Sequence, residues 1–111
     1  MNGTNIFLDD VRQSPDNHVL VKTAEECMRL LQNTADISHL SLDHDLGTKY
    51  FNGFSVVLYL LEKQIIPSKI TIHSANAVGG KRMYRRLMEA RRSGELPERV
   101  KILHRPLPLN A

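Results

Sequence analysis

Leu40-Ser41-Leu42-Asp43-His44-Asp45-Leu46-Gly47 joins a short apolar run to two acids, the histidine between them and a closing glycine. A run of that kind, too short for a helix and stopping at polar groups, reads as a buried strand that delivers those groups at its exit. The pattern repeats outward in both directions. Asn5-Ile6-Phe7-Leu8 ends in Asp9-Asp10, Ile70-Thr71-Ile72 ends in His73-Ser74-Ala75-Asn76, and Val100-Lys101-Ile102-Leu103 closes on His104-Arg105-Pro106. Val19-Leu20-Val21 is a further short strand.

The intervening segments carry helix signals. Thr23-Ala24-Glu25-Glu26 has the form of a capping box, and Cys27, Leu30 and Leu31 form an apolar stripe that ends near Asn33. Asn52-Gly53 opens a second helix with Val56, Val57, Leu60 and Leu61 at helical spacing, and Pro67 breaks the chain before the next strand. Gly79-Gly80 precedes a basic helix running to about Arg92, in which Met83, Leu87 and Ala90 face inward. Strands alternating with helices imply a mainly parallel sheet with helices on its faces. One connection is short. Only about eight residues separate the first two strands, against the dozen or more of a helical crossover. Either the first helix is reduced to a loop or the second strand is a peripheral edge.

Ligands of open parallel α/β sheets bind outside the carboxyl ends of the strands. The chemistry-bearing residues of this chain collect at such ends: Asp9 and Asp10, then Asp43, His44 and Asp45, then His73, Ser74 and Asn76, then His104 and Arg105. Crowded carboxylates repel unless a cation neutralises them, and oxygen-rich sites suit Mg²⁺ or Mn²⁺. Asp9, Asp10 and Asp43 are the candidate metal ligands, although Asp10 and Asp45 also suit a plain turn-capping role. His44 and His73 are candidates for proton transfer, or one of them for completing the metal site, while His18 and His39 read as structural. Ser74 and Asn76 offer neutral hydrogen-bond groups, Gly79 lets backbone N–H groups approach a ligand, and Lys81 stands near a helix N-terminus suited to phosphate. Arg12, Lys81 and Arg105 are the candidates for holding phosphoryl oxygens.

With 111 residues the chain suits one domain, residues 1–111, and the absence of Trp leaves its core to Leu, Ile, Val and Met. The lone cysteine, Cys27, excludes an internal disulfide framework and fits a reducing compartment. No apolar run approaches the roughly 20 residues that span a bilayer, and the first residues lack the pattern of a signal peptide, so a cytoplasmic protein without membrane contact is expected. Charge is uneven, −3 over residues 1–80 and +6 over 81–111. Such a division suits a metal-binding end beside a surface for anions. Arg82, Arg85, Arg86, Arg91 and Arg92 would give RNA only salt-sensitive, sequence-blind contact, with no aromatic platform beside them.

The strand ends resemble those of the receiver domains of two-component signalling. Asp9-Asp10 stands where an acidic pair follows the first strand, Asp43 where the phosphoryl-accepting Asp follows the third, Ser74 where a Ser or Thr follows the fourth, and Arg105-Pro106 where Lys-Pro follows the fifth. Arg105 in place of Lys, the lost first helix and the extra His44 and His73 separate the chain from an ordinary phosphorelay receiver. Leu8-Asp9-Asp10-Val11-Arg12 with Pro15, Ser41 to Gly47, and Ile72-His73-Ser74-Ala75-Asn76 with Gly79 and Met83 are more similar to the cyclic-phosphate processing receiver domain family. That resemblance implies a receiver/flavodoxin-like three-layer α/β sandwich with a mainly parallel five-stranded sheet and a first helix reduced to a loop. It also implies a phosphoesterase acting on cyclic phosphates of nucleotides, RNA ends or ADP-ribose derivatives, which the crowded carboxylates would make metal-dependent. In that scheme Asp43 is a metal ligand or a covalent nucleophile. The alternative is a pseudoreceiver that binds a nucleotide or a protein partner without chemistry.

Overall fold

The computed structural model describes residues 3–47 and 51–107. Its elements run β1 (Thr4–Leu8), β2 (Val19–Val21), α1 (Ala24–Gln32), β3 (Ile37–Leu42), α2 (Gly53–Glu62), β4 (Lys69–Ile72), α3 (Ala77–Ser93) and β5 (Lys101–His104). All five strands are parallel, in the order β2-β1-β3-β4-β5. This is the flavodoxin-like order, and it brings every strand's carboxyl end to one edge of the sheet. Both readings of the short first connection hold together: residues 9–18 carry no helix, and β2 lies at the sheet edge.

The hand of the crossovers decides where the helices go. From β2 to β5 each connection steps across the sheet in the same direction, and right-handed parallel crossovers then place their helices on the same face. Accordingly α1 packs on α2, and α2 on α3. Helices on both faces were expected from the strand–helix alternation; the described residues form one helical layer. Loop 9–18, whose step runs the opposite way, takes the other face. There Asn5 Nδ2 donates to the Asn17 carbonyl, and the His18 ring stands edge-on to Phe7 at 6.4 Å.

Strand side chains alternate between faces, so one set serves the core and its neighbours serve the site. Ile6, Leu8, Leu40, Leu42, Ile70, Ile72 and Ile102 are buried against Cys27, Leu31, Val57, Leu60, Met83 and Leu87 of the helices. Phe7, Ser41, Thr71 and His73, in the opposite phase, are buried on the other side. A chain of imidazole contacts ties that side together. His18 Nδ1–H donates to the Asp16 carbonyl at 3.0 Å, His18 Nε2 and His39 Nδ1 share a hydrogen bond at 2.9 Å, and His39 Nε2 and the Thr71 hydroxyl share one at 2.8 Å. That chain gives His18 and His39 the structural role expected of them.

The caps explain the helix starts. Thr23 Oγ1 accepts from Glu26 N at 3.0 Å, and Asn52 Oδ1 accepts from Phe54 N at 2.9 Å. One boundary moves. Asn76, not the glycine pair, caps α3, with Oδ1 accepting from Gly79 N at 2.8 Å. Gly79 and Gly80 therefore lie inside the first helical turns, and Lys81 and Arg82 follow in the second. The helix starts earlier because an Asn cap outweighs the poor helix propensity of glycine.

Gly53 shows how tightly α2 is joined to the site. Its N–H donates to the His44 carbonyl at 2.9 Å, and an added Cβ would collide with the Asp43 carbonyl oxygen and stand 2.8 Å from Met83 Cε. The clash is with backbone, so the helix itself must move to relieve it. Gly53→Ala is expected to cost about 1–3 kcal/mol, read as a lowered urea midpoint with an unchanged slope.

Candidate active site

The loop leaving β1 is built around Asp9. Its Oδ1 accepts from the backbone N–H groups of Val11 at 2.9 Å and Arg12 at 2.8 Å, closing an Asx turn. Its Oδ2 accepts from Arg12 Nη1 at 2.7 Å and His73 Nε2 at 3.0 Å. Burial raises the Asp9 pKa, but these hydrogen bonds, led by the backbone of Arg12 and Val11, outweigh it and hold the carboxyl below its ordinary value. Asp9 is thus a buried anion with every strong acceptor direction filled.

His73 is equally committed. Because Asp9 is ionised, Nε2 must carry the proton and donate it, which leaves Nδ1 to accept the Ser41 hydroxyl at 2.6 Å. Phe7 stacks flat on the imidazole, 4.3 Å between centroids and 3° between planes. Burial pushes the His73 pKa down to about 4 against the opposing pull of Asp9. With 1% exposure and both nitrogens engaged, His73 orients Asp9 and has no nitrogen to offer a ligand.

Asp43, 4% exposed, receives His44 N–H on Oδ1 at 2.8 Å and stands 3.5 Å from Arg12 Nη1 through Oδ2. Asn76 N donates to Ser74 Oγ at 3.0 Å, so the Ser74 hydroxyl is turned to donate to Asp43. Burial and the neighbouring Asp9 charge raise the Asp43 pKa above its ordinary value, against Ser74, His44 and Arg12. Environments that push two adjacent carboxyls in opposite directions suit a division of labour, one a fixed anion and the other able to exchange a proton.

His44 is the more open imidazole. Its Nδ1 pairs with Asp45 Oδ1 at 2.7 Å, and Asn76 Nδ2 donates to the same oxygen at 3.1 Å. The ring lies on Gly79, where an added Cβ would stand 2.5 Å from Cγ, so the first turn of α3 is its floor. Its side chain keeps 15% exposure, and Nε2 makes no hydrogen bond to the described residues.

The remaining candidates occupy the rim or the supports. Asp10 is half-buried beside Gly47. Lys81 is exposed on the solvent side of α3, in a depression of about 210 Å³ that it shares with Ala77, Val78, Arg82 and Arg85. Arg105 is exposed just past β5, where its N–H donates to the Ile72 carbonyl. Arg12, expected to hold phosphoryl oxygens, is 6% exposed and turned inward, with Nη2 donating to the Leu107 carbonyl at 2.6 Å. The N–H of Gly79, expected to approach a ligand, is taken by the Asn76 cap. His104 turns to the helix face, stacked on Tyr84 at 5.6 Å, with Nε2 buried and without a hydrogen-bond partner among the described residues.

Asp9, Asp43 and His73 each place a donor atom within 4.8 Å of the others, a spacing compatible with a metal ion. The expected trio had Asp10 in place of His73. The chemistry of the donors does not fit a six-coordinate divalent ion. Asp9 has no acceptor direction left, and His73 Nε2 points a proton at it.

The sequence profile of the cyclic-phosphate processing receiver domain matches residues 4–89. The chain belongs to that family. No curated protein and no solved structure matches it. In this receiver domain the match runs from β1 into α3, and it covers Asp9, Arg12, Asp43, His44 and His73 while leaving β5 and Arg105 outside. None of its described helices is long and apolar enough to cross a membrane. Ser41 and Phe7, the supports of His73, stand in the strand motifs but are not among the candidate site residues of the sequence. The period of two that puts Phe7 in phase with Asp9, and Ser41 with Asp43, is the signal that marks them.

The lowered His73 pKa fixes the sign of an acid response. Between pH 6.5 and about 4 the unfolded chain binds a proton that the folded one refuses, so stability falls as pH falls through that window. The loss from His73 reaches up to about 2 kcal/mol by pH 5. His39, also lowered to about 4 by burial, acts in the same direction, while the raised Asp43 offsets part of the loss. Urea unfolding at pH 7 and pH 5 is expected to show the drop, smaller but present in His39→Gln. A stability unchanged between the two pH values excludes the neutral buried imidazoles.

Proposed function

We propose that this domain is a phosphoesterase that opens cyclic phosphates of nucleotides, RNA ends or ADP-ribose derivatives, with His44 as its proton-transfer group. The observation that carries the reading is the His44–Asp45–Asn76 array. Asp45 holds Nδ1, Asn76 holds Asp45, and Gly79 gives the ring its floor, so the unengaged Nε2 is aimed by three separate contacts. An imidazole held by a carboxylate at one nitrogen and open at the other is the arrangement used for general acid–base work.

In this scheme water adds at phosphorus and the bond to one ribose oxygen breaks. His44 Nε2 gives its proton to that departing oxygen, and Asp43 takes the proton lost by the water. The raised pKa of Asp43 suits the second role better than a nucleophile's. Lys81 and Arg105 are the exposed cations for the phosphoryl oxygens, and the depression along Lys81, Arg82 and Arg85 suits further phosphates of a longer substrate. The low exposure of Asp43 favours a second reading, in which a phosphorylated ligand is bound at the rim and no bond is broken.

The test is incubation with 2′,3′-cyclic nucleotides and ADP-ribose cyclic phosphate, followed by ³¹P NMR. Ring opening is expected, with kcat reduced about 10²–10⁴-fold in His44→Ala and in Asp43→Asn. Asp45→Asn is expected to act more weakly and to shift the pH profile, since it disturbs only the tether of the ring. Full activity in His44→Ala removes the assignment. Saturable binding without product installs the second reading.

A further inference from the structure

We infer that the Arg12 guanidinium is the resident cation of the acid pocket, occupying by covalent attachment the electrostatic place that a divalent ion would otherwise take. The pocket holds two carboxyls, Asp9 and Asp43, exposed by 0% and 4%. Two like charges at such depth need a counter-charge, and Arg12 Nη1 reaches both, at 2.7 Å and 3.5 Å. An Arg side chain stays charged throughout the working pH range and is more weakly hydrated than an ammonium group, so it tolerates the burial.

The coordination chemistry points the same way. Asp9 spends Oδ1 on the two amides that close its own turn and Oδ2 on Arg12 and His73. Turning this carboxylate toward an ion undoes the turn that carries Arg12. The His73 lone pair faces Ser41, so the imidazole has none to give. Of these three groups Asp43 alone keeps acceptor capacity, and Mg²⁺ asks for six oxygens in near-octahedral order, several of them waters. The guanidinium is also fixed from behind. Its Nη2 donates to the Leu107 carbonyl, and Leu107 N donates in turn to the His73 carbonyl at 3.0 Å, so swinging the side chain out breaks its tie to the segment past β5.

The experiment reads metal binding directly, by Mn²⁺ water-proton relaxation and by the thermal midpoint in Mg²⁺ against EDTA. The wild-type chain is expected to hold no Mn²⁺ in this pocket and to keep one midpoint in both buffers. Arg12→Gln empties the pocket of its cation and is expected to gain a Mn²⁺ site that Asp43→Asn then abolishes. If Arg12→Gln unfolds without metal, recovery of its fold by Mn²⁺ is the same gain. Arg12→Lys keeps the charge and is expected to exclude Mn²⁺ as the wild type does. Wild-type Mn²⁺ binding that Asp43→Asn removes overturns the inference, as does an Arg12→Gln chain that gains nothing. The catalytic consequence, turnover undiminished by EDTA, rests on the phosphoesterase reading. No turnover in any buffer removes that reading and leaves the metal-binding result standing.

Discussion

A carboxylate sealed from water, Asp9, is the constraint around which the site is arranged. Burying an ion is tolerable only when its hydrogen-bonding capacity is filled, and breaking a buried pair by removing one partner typically costs about 3–5 kcal/mol. Asp9 draws donors from its own turn, from the Arg12 side chain and from β4 through His73. Each donor is itself held, by Leu107, Ser41 or Phe7. The loop after β1, the end of β4 and the segment past β5 are thereby fixed to one another by a single anion.

This anchoring separates the residues that hold from those that are free to act. His73 and Arg12 lie within the protein, while His44 rests on α3 at the surface, tied through Asp45 and Asn76. Sequence position alone suggested two equivalent histidines at neighbouring strand ends. Their surroundings divide them, one clamped at both nitrogens and one at a single nitrogen.

Much of the architecture was legible because its causes are local. Thr23 and Asn52 announce their helices through caps, and strands that stop at acids or histidines announce a shared edge. The Asn76 cap was equally local, but the glycine pair drew the helix boundary to itself. Those glycines are small because side chains press on them, His44 on Gly79 and His104 on Gly80, which no local pattern encodes. The single helical layer follows from crossover hand and strand order together, and the order is a property of the whole sheet. The inward turn of Arg12 lay furthest out of reach. It depends on Leu107, which is 95 positions away in the chain.

That distant partner has a mechanical side. The guanidinium links the charged heart of the domain to the stretch of backbone at residue 107, so the two behave as a lever and its fulcrum. A displacement of the Leu107 carbonyl therefore reaches the acid pair through one side chain, without passing through a helix.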